Sequence, residues 1–364
     1  MAHASQVRYS DLVLAKLRAE LVLADGFVFN NDYEGDPTAG SVKIPVRDTE
    51  TTVSDYNKAS GVNLETGTTT YDTLLIDKDK AVNELIDGFD AAAVPDNLVA
   101  DRLDSAGYSL ARQVDIDGAT ALLSGGTVVN IASLTKDNIY ANIIDIRTAM
   151  SKANVPDDGR RYLLVTPDTF ALILKSPEFI SASDLGDAVK QNGILGKIGG
   201  FLVKEWNDST ANLAMIAGHP RFATRAAEWK VGVHVQDLSE SGTYIGACAV
   251  QGRRVYGHKV LRAAAVRCVY APGSLTVTLA ASDEGKTIAT VTAGNTGTTY
   301  AYKLNPSERA TYNETSTAYA GTSLTSGTTK ISVSEGDVLE IVNLSSSKVV
   351  AVAYVTVTAA DIGT

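Results

Sequence analysis

The sequence predicts an α+β protein of two unlike parts, an α/β-mixed region over residues 1–270 and a small all-β sandwich over 271–364. Three observations carry this. The first 270 residues alternate helical periodicity with short buried-strand runs. From residue 271 on there is no His, Cys, Trp, Met or Phe, while Ser and Thr supply 29 of 94 positions, a composition shift that marks a second domain. In that last part, runs such as Thr299 to Leu304 and Val349 to Val357 alternate apolar residues with Ser or Thr between Gly, Asn, Pro and Asp turn signals, the pattern of strands with one buried face.

Taken in chain order, Ser10 to Leu23 reads as a short helix that ends near Asp25-Gly26, because Gly tolerates the positive φ that follows a helix. Strand-like pieces at Ser41 to Val46 and Tyr71 to Ile76 flank about 25 polar residues, so they predict a long extended hairpin. Such an arm has little apolar surface to offset its ordering entropy and needs something to lie on. Pro95-Asp96 then opens a stretch to Leu123 with apolar or small residues at Val99, Leu103, Ala106, Leu110, Val114 and Ala121. This is one amphipathic helix of roughly 40 Å, or a bent or interrupted one, since Gly107 and Gly118 each cost about 1 kcal/mol relative to Ala. Asp137 to Ala153 is a second amphipathic helix, with Ile139, Ile143, Ile146 and Met150 on one stripe and Thr135 as its cap. A polar loop leads to the buried strand Tyr162 to Val165 and a helix that includes Thr169 to Leu174. A Gly-rich connection from Gly193 reaches the strand Leu202 to Trp206, and further strands are expected at Leu213 to Ile216, Trp229 to Val235 and Gly246 to Val250. In the last part strands are expected at Leu275 to Ala280, Thr287 to Thr292, Thr299 to Leu304, Thr329 to Val333, Val338 to Leu344 and Val349 to Val357.

Composition narrows the function. The chain has 32 Lys plus Arg against 42 Asp plus Glu, a net charge of -10, the opposite balance from a protein that grips a polyanion by counterion release. Cys248 and Cys268 form no CxxC pair, which predicts reduced thiols and no disulfide. No apolar signal core follows Met1, and no run of about 20 apolar residues could cross a membrane; the expectation is a chain made and used in a cytoplasm.

No catalytic set emerges. His3, His219, His234 and His258 are scattered, there is no HExxH or GxSxG, and Gly193 to Ile198 lacks both the spacing and the hydroxyl of a phosphate loop. Cys248, His258 and Cys268 lie ten apart but fit buried structural residues better than metal ligands. The acids Asp36, Asp48, Asp55, Asp72, Asp77, Asp79, Asp87 and Asp90 run through the hairpin region; a solvated or salt-bridged surface accounts for them better than Ca²⁺ ligation, because no EF-hand spacing is present. The sequons at Asn207, Asn313 and Asn343 carry no weight without a secretory signal. No cofactor is expected. One charge feature stands out: Arg253, Arg254, Lys259, Arg262 and Arg267 lie in an acid-free stretch between Gln251 and Tyr270. It either faces nucleic acid or another subunit's acids, or pairs within the chain with helix acids such as Asp101, Asp104, Asp115 or Asp117.

The order of these elements carries a resemblance. A hairpin with Gly40-Ser41-Val42-Lys43-Ile44-Pro45-Val46 is followed by Leu75-Ile76-Asp77-Lys78-Asp79-Lys80-Ala81-Val82 and the long helix. Then come Val155-Pro156-Asp157-Asp158-Gly159-Arg160-Arg161-Tyr162-Leu163-Leu164-Val165-Thr166-Pro167, Gly196-Lys197-Ile198-Gly199-Gly200-Phe201-Leu202-Val203 and Ala217-Gly218-His219-Pro220. Over residues 1–270 this resembles the major capsid proteins of tailed bacteriophages, which share the Hong Kong 97 capsid fold. The resemblance implies an N-arm at about 1–32, an extended loop at about 33–80 that reaches over a neighbouring subunit, a spine helix at about 96–123 in a peripheral domain, and an axial domain at about 131–251. It implies that Lys43, Arg47 and Lys58 of the extended loop are contact candidates. The implied partners are copies of the chain itself, as pentamers and hexamers of an icosahedral shell, together with a separate scaffolding protein, a portal protein and DNA held without sequence specificity. Residues 271–364 resemble immunoglobulin-like domains that project from phage particles and serve decoration or attachment to host-surface glycans. The implied place is the virion capsid, assembled in the bacterial host cytoplasm, with no enzymatic role and no membrane. A surface adhesin or surface-layer protein would want an export signal, and an enzyme would want a convergent acid, base and nucleophile.

Overall fold

A computed structural model describes residues 16, 18–23, 27–33, 40–47, 50–51, 53–62, 66–93, 98–177, 196–293 and 299–363. They fall into two compact units, residues 1–125 with 219–263, and residues 126–218 with 264–364.

The first unit is built on the long helix. Strands β1 (Ser41–Val46) and β2 (Thr70–Leu75) form an antiparallel hairpin from Ser41 opposite Leu75 to Val46 opposite Thr70, close to the expected strands. Its base is anchored by Ile44, Leu74 and Ile76, which share an apolar cluster with Ala226. β3 (Lys78–Ile86) follows, then the short helix α1 (Gly88–Ala93) and α2 (Leu98–Gly125), one continuous helix of 28 residues. β3 joins β9 (Ala223–Asp237) and β10 (Cys248–Val260) in an antiparallel sheet of order β3-β10-β9. Helix α2 buries Ala106, Leu110, Val114, Gly118, Ala119 and Leu122, a stripe at helical spacing that packs on this sheet. The two glycines are accommodated differently. A Cβ on Gly107 would meet open space, whereas one on Gly118 would come within 3.1 Å of the Phe29 ring and 3.4 Å of His258. Gly118 is thus where the helix lets an aromatic ring approach.

The helix expected over Ser10 to Leu23 falls mostly outside the described residues, and its described part, 16 and 18–23, is not helical. Tertiary contacts replace the local ones: the amides of Val22 and Leu23 donate to the Asp115 carboxylate at 3.0 and 3.3 Å, and Val22 and Leu23 are buried. A backbone whose donors are taken by a carboxylate cannot spend them on helical carbonyls. Past this point Asn30 bridges to Thr224 at the edge of β9.

The second unit holds a mixed six-stranded sheet of β4 (Thr127–Asn130), β5 (Tyr162–Val165), β6 (Lys197–Ile198), β7 (Phe201–Glu205), β8 (Leu213–Gly218) and β11 (Val266–Tyr270), in the order β4-β11-β8-β5-β7-β6. Every residue of β5 and β8 is buried, as continuous apolar runs in the middle of a sheet require. Helix α3 (Ile139–Lys152) buries the predicted stripe Ile139, Ile143, Ile146 and Met150; its cap position is Asn138, whose Oδ1 accepts from the Thr135 amide at 2.8 Å, so the capping role expected of Thr135 is not the one it plays. The Arg161 side chain, 1% exposed, ties the α3–β5 connection by donating to the carbonyls of Pro156 and Val155 and to Ser151 Oγ. Helix α4 (Pro167–Leu174) starts on Pro167. Cys268 in β11 is buried, Cys248 at the start of β10 is half-buried, and neither is in a disulfide.

Residues from 273 onward form two facing sheets. β12 (Gly273–Ser274), β15 (Thr299–Leu304), β16 (Thr322–Leu324), β18 (Val338–Ser345) and β19 (Lys348–Thr356) order as β12-β19-β18-β15-β16. β13 (Thr276–Ala281), β14 (Lys286–Ala293) and β17 (Lys330–Ser332) order as β13-β14-β17. Their shared core contains Leu275, Ala289, Ile331, Leu339, Ile341, Ala351 and Ala353. All six strands expected here are present, with β12, β16 and the one-turn helix α5 (Ser316–Tyr319) in addition. The far face of the larger sheet also carries an apolar cluster, with Ala310 and Tyr319 against Val342, Leu344, Val349 and Val352.

Candidate assembly surfaces

The basic stretch on β10 is placed by strand register. Arg253 lies opposite Ala81 of β3, and its guanidinium makes a two-pronged pair with Asp79 at 2.9 and 2.5 Å. Its charged partner pushes the Asp79 carboxyl below the ordinary carboxylate range. Lys259 pairs with Asp72 of β2 and donates to the Thr73 carbonyl at 2.7 Å. Arg254 stacks 5.0 Å from the Trp229 ring centre. Arg267, in the other unit, donates to the Ala149 carbonyl at 3.2 Å, and Arg262 is exposed. The stretch is not one patch: Arg253, Arg254 and Lys259 are engaged inside their own unit. The acids that meet Arg253 and Lys259 sit on β2 and β3, in place of the helix acids Asp101, Asp104, Asp115 and Asp117. The sequence missed these partners because the fold joins residues more than 170 positions apart, Arg253 to Asp79 through the pairing of β10 with β3 and Lys259 to Asp72 through a side-chain contact between β10 and β2.

Asp117 has another task. It accepts from the Tyr256 hydroxyl at 2.6 Å, and beside this pair His258 is wedged between Phe29 and Tyr256, with ring centres 4.9 and 5.5 Å away. Burial first, and then the Arg225 charge, push the His258 imidazole down to about 4. It is a neutral packing residue, and among the described residues no group of three His, Cys, Asp or Glu side chains is placed to hold a metal ion. Asp36 and Asp48 of the acidic run, like Gly193 to Leu195, lie outside the described residues; Asp72, Asp77 and Asp79 are in ion pairs.

The extended hairpin presents Lys43, Arg47 and Lys58 to solvent. It also exposes Val53, at 96%, and Tyr56, at 76%. A buried base with an uncovered apolar tip is the outline of a limb meant to be covered by another molecule.

In the second unit a segment over 305–320 clips the two-sheet region to the six-stranded sheet. Tyr312 stacks on Tyr270 with ring centres 5.7 Å apart, and its amide donates to the Ile131 carbonyl at 3.0 Å, next to the bridge between Ala132 and Thr311. The clip is held on its own sheet by Glu340, a fully buried carboxylate that accepts from the Ala310 amide at 2.9 Å. Burial, and then the Glu340 charge beside them, push the Tyr319 and Tyr354 phenols up. Arg309 lies over the Tyr354 ring and Lys303 over the Tyr319 ring at 4.7 and 4.4 Å. Tyr300 and Tyr302 pack on the core between the sheets. Tyr300, Tyr302, Tyr312 and Tyr319, the aromatic residues a sugar platform in this region would draw on, are thus each engaged in packing or stacking contacts.

The fold of most of the chain recurs in solved structures. A chain of Mycobacterium phage Che8 is 25% identical, with a TM-score of 0.62 over 72% of this chain and 96% of that one. The capsid of the cyanophage P-SCSP1u follows at 15% identity and TM-score 0.61, covering 73% and 92% of the two chains. The mature capsid of bacteriophage PhiM1 follows at 14% and 0.58, covering 74% and 92%. No curated protein matches the sequence. The fold is that of tailed-phage major capsid proteins. Residues 88–269 match the phage capsid protein family, half of the chain, and the chain belongs to that family. It is a structural protein of the virion capsid, one that assembles with its own copies into a shell.

Proposed function

We propose that the chain is the subunit of an icosahedral shell, set in pentamers and hexamers, that encloses packaged double-stranded DNA. The observation that carries this reading is the extended hairpin, anchored at its base by Ile44 and Leu74 and bare at Val53 and Tyr56, on a fold shared with phage capsids. Identical subunits that join through complementary, non-self patches close into rings and shells. In this reading residues 1–32 are the arm, 33–80 the extended loop, 96–123 the spine, and the six-stranded sheet with α3 and α4 lies toward the capsomer centre. A separate scaffolding protein guides assembly in the host cytoplasm, and a portal admits the genome. The acidic balance suits a shell that contains DNA without gripping it, and three of the five basic candidates are already neutralised by acids or stacked on an aromatic ring.

The region from 273 on is proposed as an immunoglobulin-like domain on the outer surface that stabilises the shell. Capsid relatives are covered almost fully while about a quarter of this chain is left over, which supports an added domain. The spent tyrosines and the Tyr312 clip favour a stabilising role over glycan capture. Electron microscopy of the chain expressed with its scaffold is expected to show closed particles; a monomer that never assembles would overturn the reading.

A further inference from the structure

The two-sheet region meets the six-stranded sheet across a cleft of about 1130 Å³. Its walls are polar, with Thr166, Asp168, Asn207 and Asp208 on the side of the six-stranded sheet and Ser274 and Thr276 on the other. Walls of this kind gain little by giving up water and closing on each other. The chain itself crosses from one side to the other once, at Ala271-Pro272. A second join is the segment from Arg309 to Tyr319, and its two sides are held by unlike means.

Toward the six-stranded sheet the segment makes neutral contacts: Tyr312 stacks on Tyr270, its amide donates to the Ile131 carbonyl at 3.0 Å, and Thr311 bridges Ala132. Toward its own sheet it covers one row of side chains. Strand register sets Lys303 of β15, Glu340 of β18 and Tyr354 of β19 side by side. The segment lays Arg309 over the Tyr354 ring, the Ala310 amide on the Glu340 carboxylate at 2.9 Å, and the Tyr319 ring against the Lys303 ammonium. Glu340 is 0% exposed. The phenols of Tyr319 and Tyr354 stand beside it, and Tyr354 also faces Ser133, next to the Ala132 bridge.

A buried charge is tolerated only while donors and cations surround it. Of the groups that do so here, the Ala310 amide, the Tyr319 phenol and Arg309 arrive on the segment. A bond from an amide to a carboxylate is also about twice as strong as a neutral one. The charge of Glu340 thus draws the segment down, and the segment carries the contacts to 131–133 with it.

We infer that Glu340 is the positioning residue of a latch. Its buried charge fastens residues 309–319 onto the larger sheet, the segment fastens the two-sheet region to 131–133, and loss of the charge frees the segment without unfolding either sheet. The latch does not rest on the shell reading.

Amide exchange of the full, unassembled chain tests this. Glu340→Gln keeps the shape and removes the charge; Glu340→Leu also removes the polar group, a change that a core often accepts at no cost. In both variants exchange at Ala310, Tyr312 and Asn313 is expected to quicken at least about tenfold, while β5, β18 and β19 keep their rates within about threefold. Tyr312→Ala, which removes only the stack, is expected to leave Ala310 and Asn313 protected. Unchanged exchange at 310–313 in the folded Glu340 variants would overturn the latch. So would a Tyr312→Ala chain that opens 310–313 as far as Glu340→Gln does, because the stack would then be the holding contact. Protection lost in β18 and β19 together with 310–313, in both Glu340 variants, would make Glu340 an ordinary core residue and refute the latch as well. No readout involves particles, so failure here and failure of assembly are distinguishable.

Discussion

At the scale of single residues, the most informative group is His258. A histidine held near 4 in the fold and near 6.5 when unfolded stays neutral in the native state while the unfolded chain takes up a proton. Stability is therefore present in full above about pH 6.5 and is lost as pH falls through about 4, by roughly 3 kcal/mol in all. The charged groups that face it are Arg225, Arg254, Asp77 and Asp117. Replacing His258 by Phe is expected to flatten the pH dependence of urea unfolding between pH 4 and 6.5; an unchanged slope would assign the acid sensitivity elsewhere. The sequence showed His258 as a lone ring ten positions from each cysteine. What it could not show was Phe29, which arrives from the far end of the unit to cover it.

Elements were legible where one local pattern decides. The α3 stripe and the all-apolar β5 fell where their periodicity put them, because burial on one face or on both leaves a direct trace. β3 escaped notice since Lys78-Asp79-Lys80-Ala81-Val82-Asn83-Glu84 reads as a charged surface; its alternation became meaningful only once β10 supplied the matching Arg253 and Gln251. In the described part of Ser10 to Leu23, residues 16 and 18–23, the hydrophobic period misled for the opposite reason, as the Asp115 carboxylate on another element took the amides of Val22 and Leu23. Helix α2 offers a clean test of packing against propensity. Gly107→Ala is expected to stabilise by up to about 1 kcal/mol, since its new methyl enters open space and Gly is costly in a helix interior. Gly118→Val is expected to destabilise by about 1–3 kcal/mol through collision with Phe29 and His258, as overpacking does. Denaturant midpoints would separate the two.

For the whole molecule the decisive region is the last quarter. If the domain serves the shell, removing residues 273–364 leaves Tyr270 without its stacking partner and the Ile131 carbonyl without the Tyr312 amide, and fragile or unassembled particles are expected. Normal particles that lose only adsorption would favour attachment instead. A second expectation concerns covalency: boiled, denatured particles are predicted to run as a single band of 38.3 kDa, and a ladder would show covalent links between subunits. Composition marked this region by its Ser and Thr content, but not the clip that binds it, because Tyr270 and Tyr312 look ordinary in sequence and meet only in the fold.

The two thiols have a practical use. Burial pushes the Cys268 thiol up to about 12, out of reach of ordinary maleimides, while Cys248 is partly open at the root of β10. The wild-type chain thus carries a single addressable handle for a fluorophore or spin label. Subunits could be followed from free chain to finished particle without engineering a cysteine.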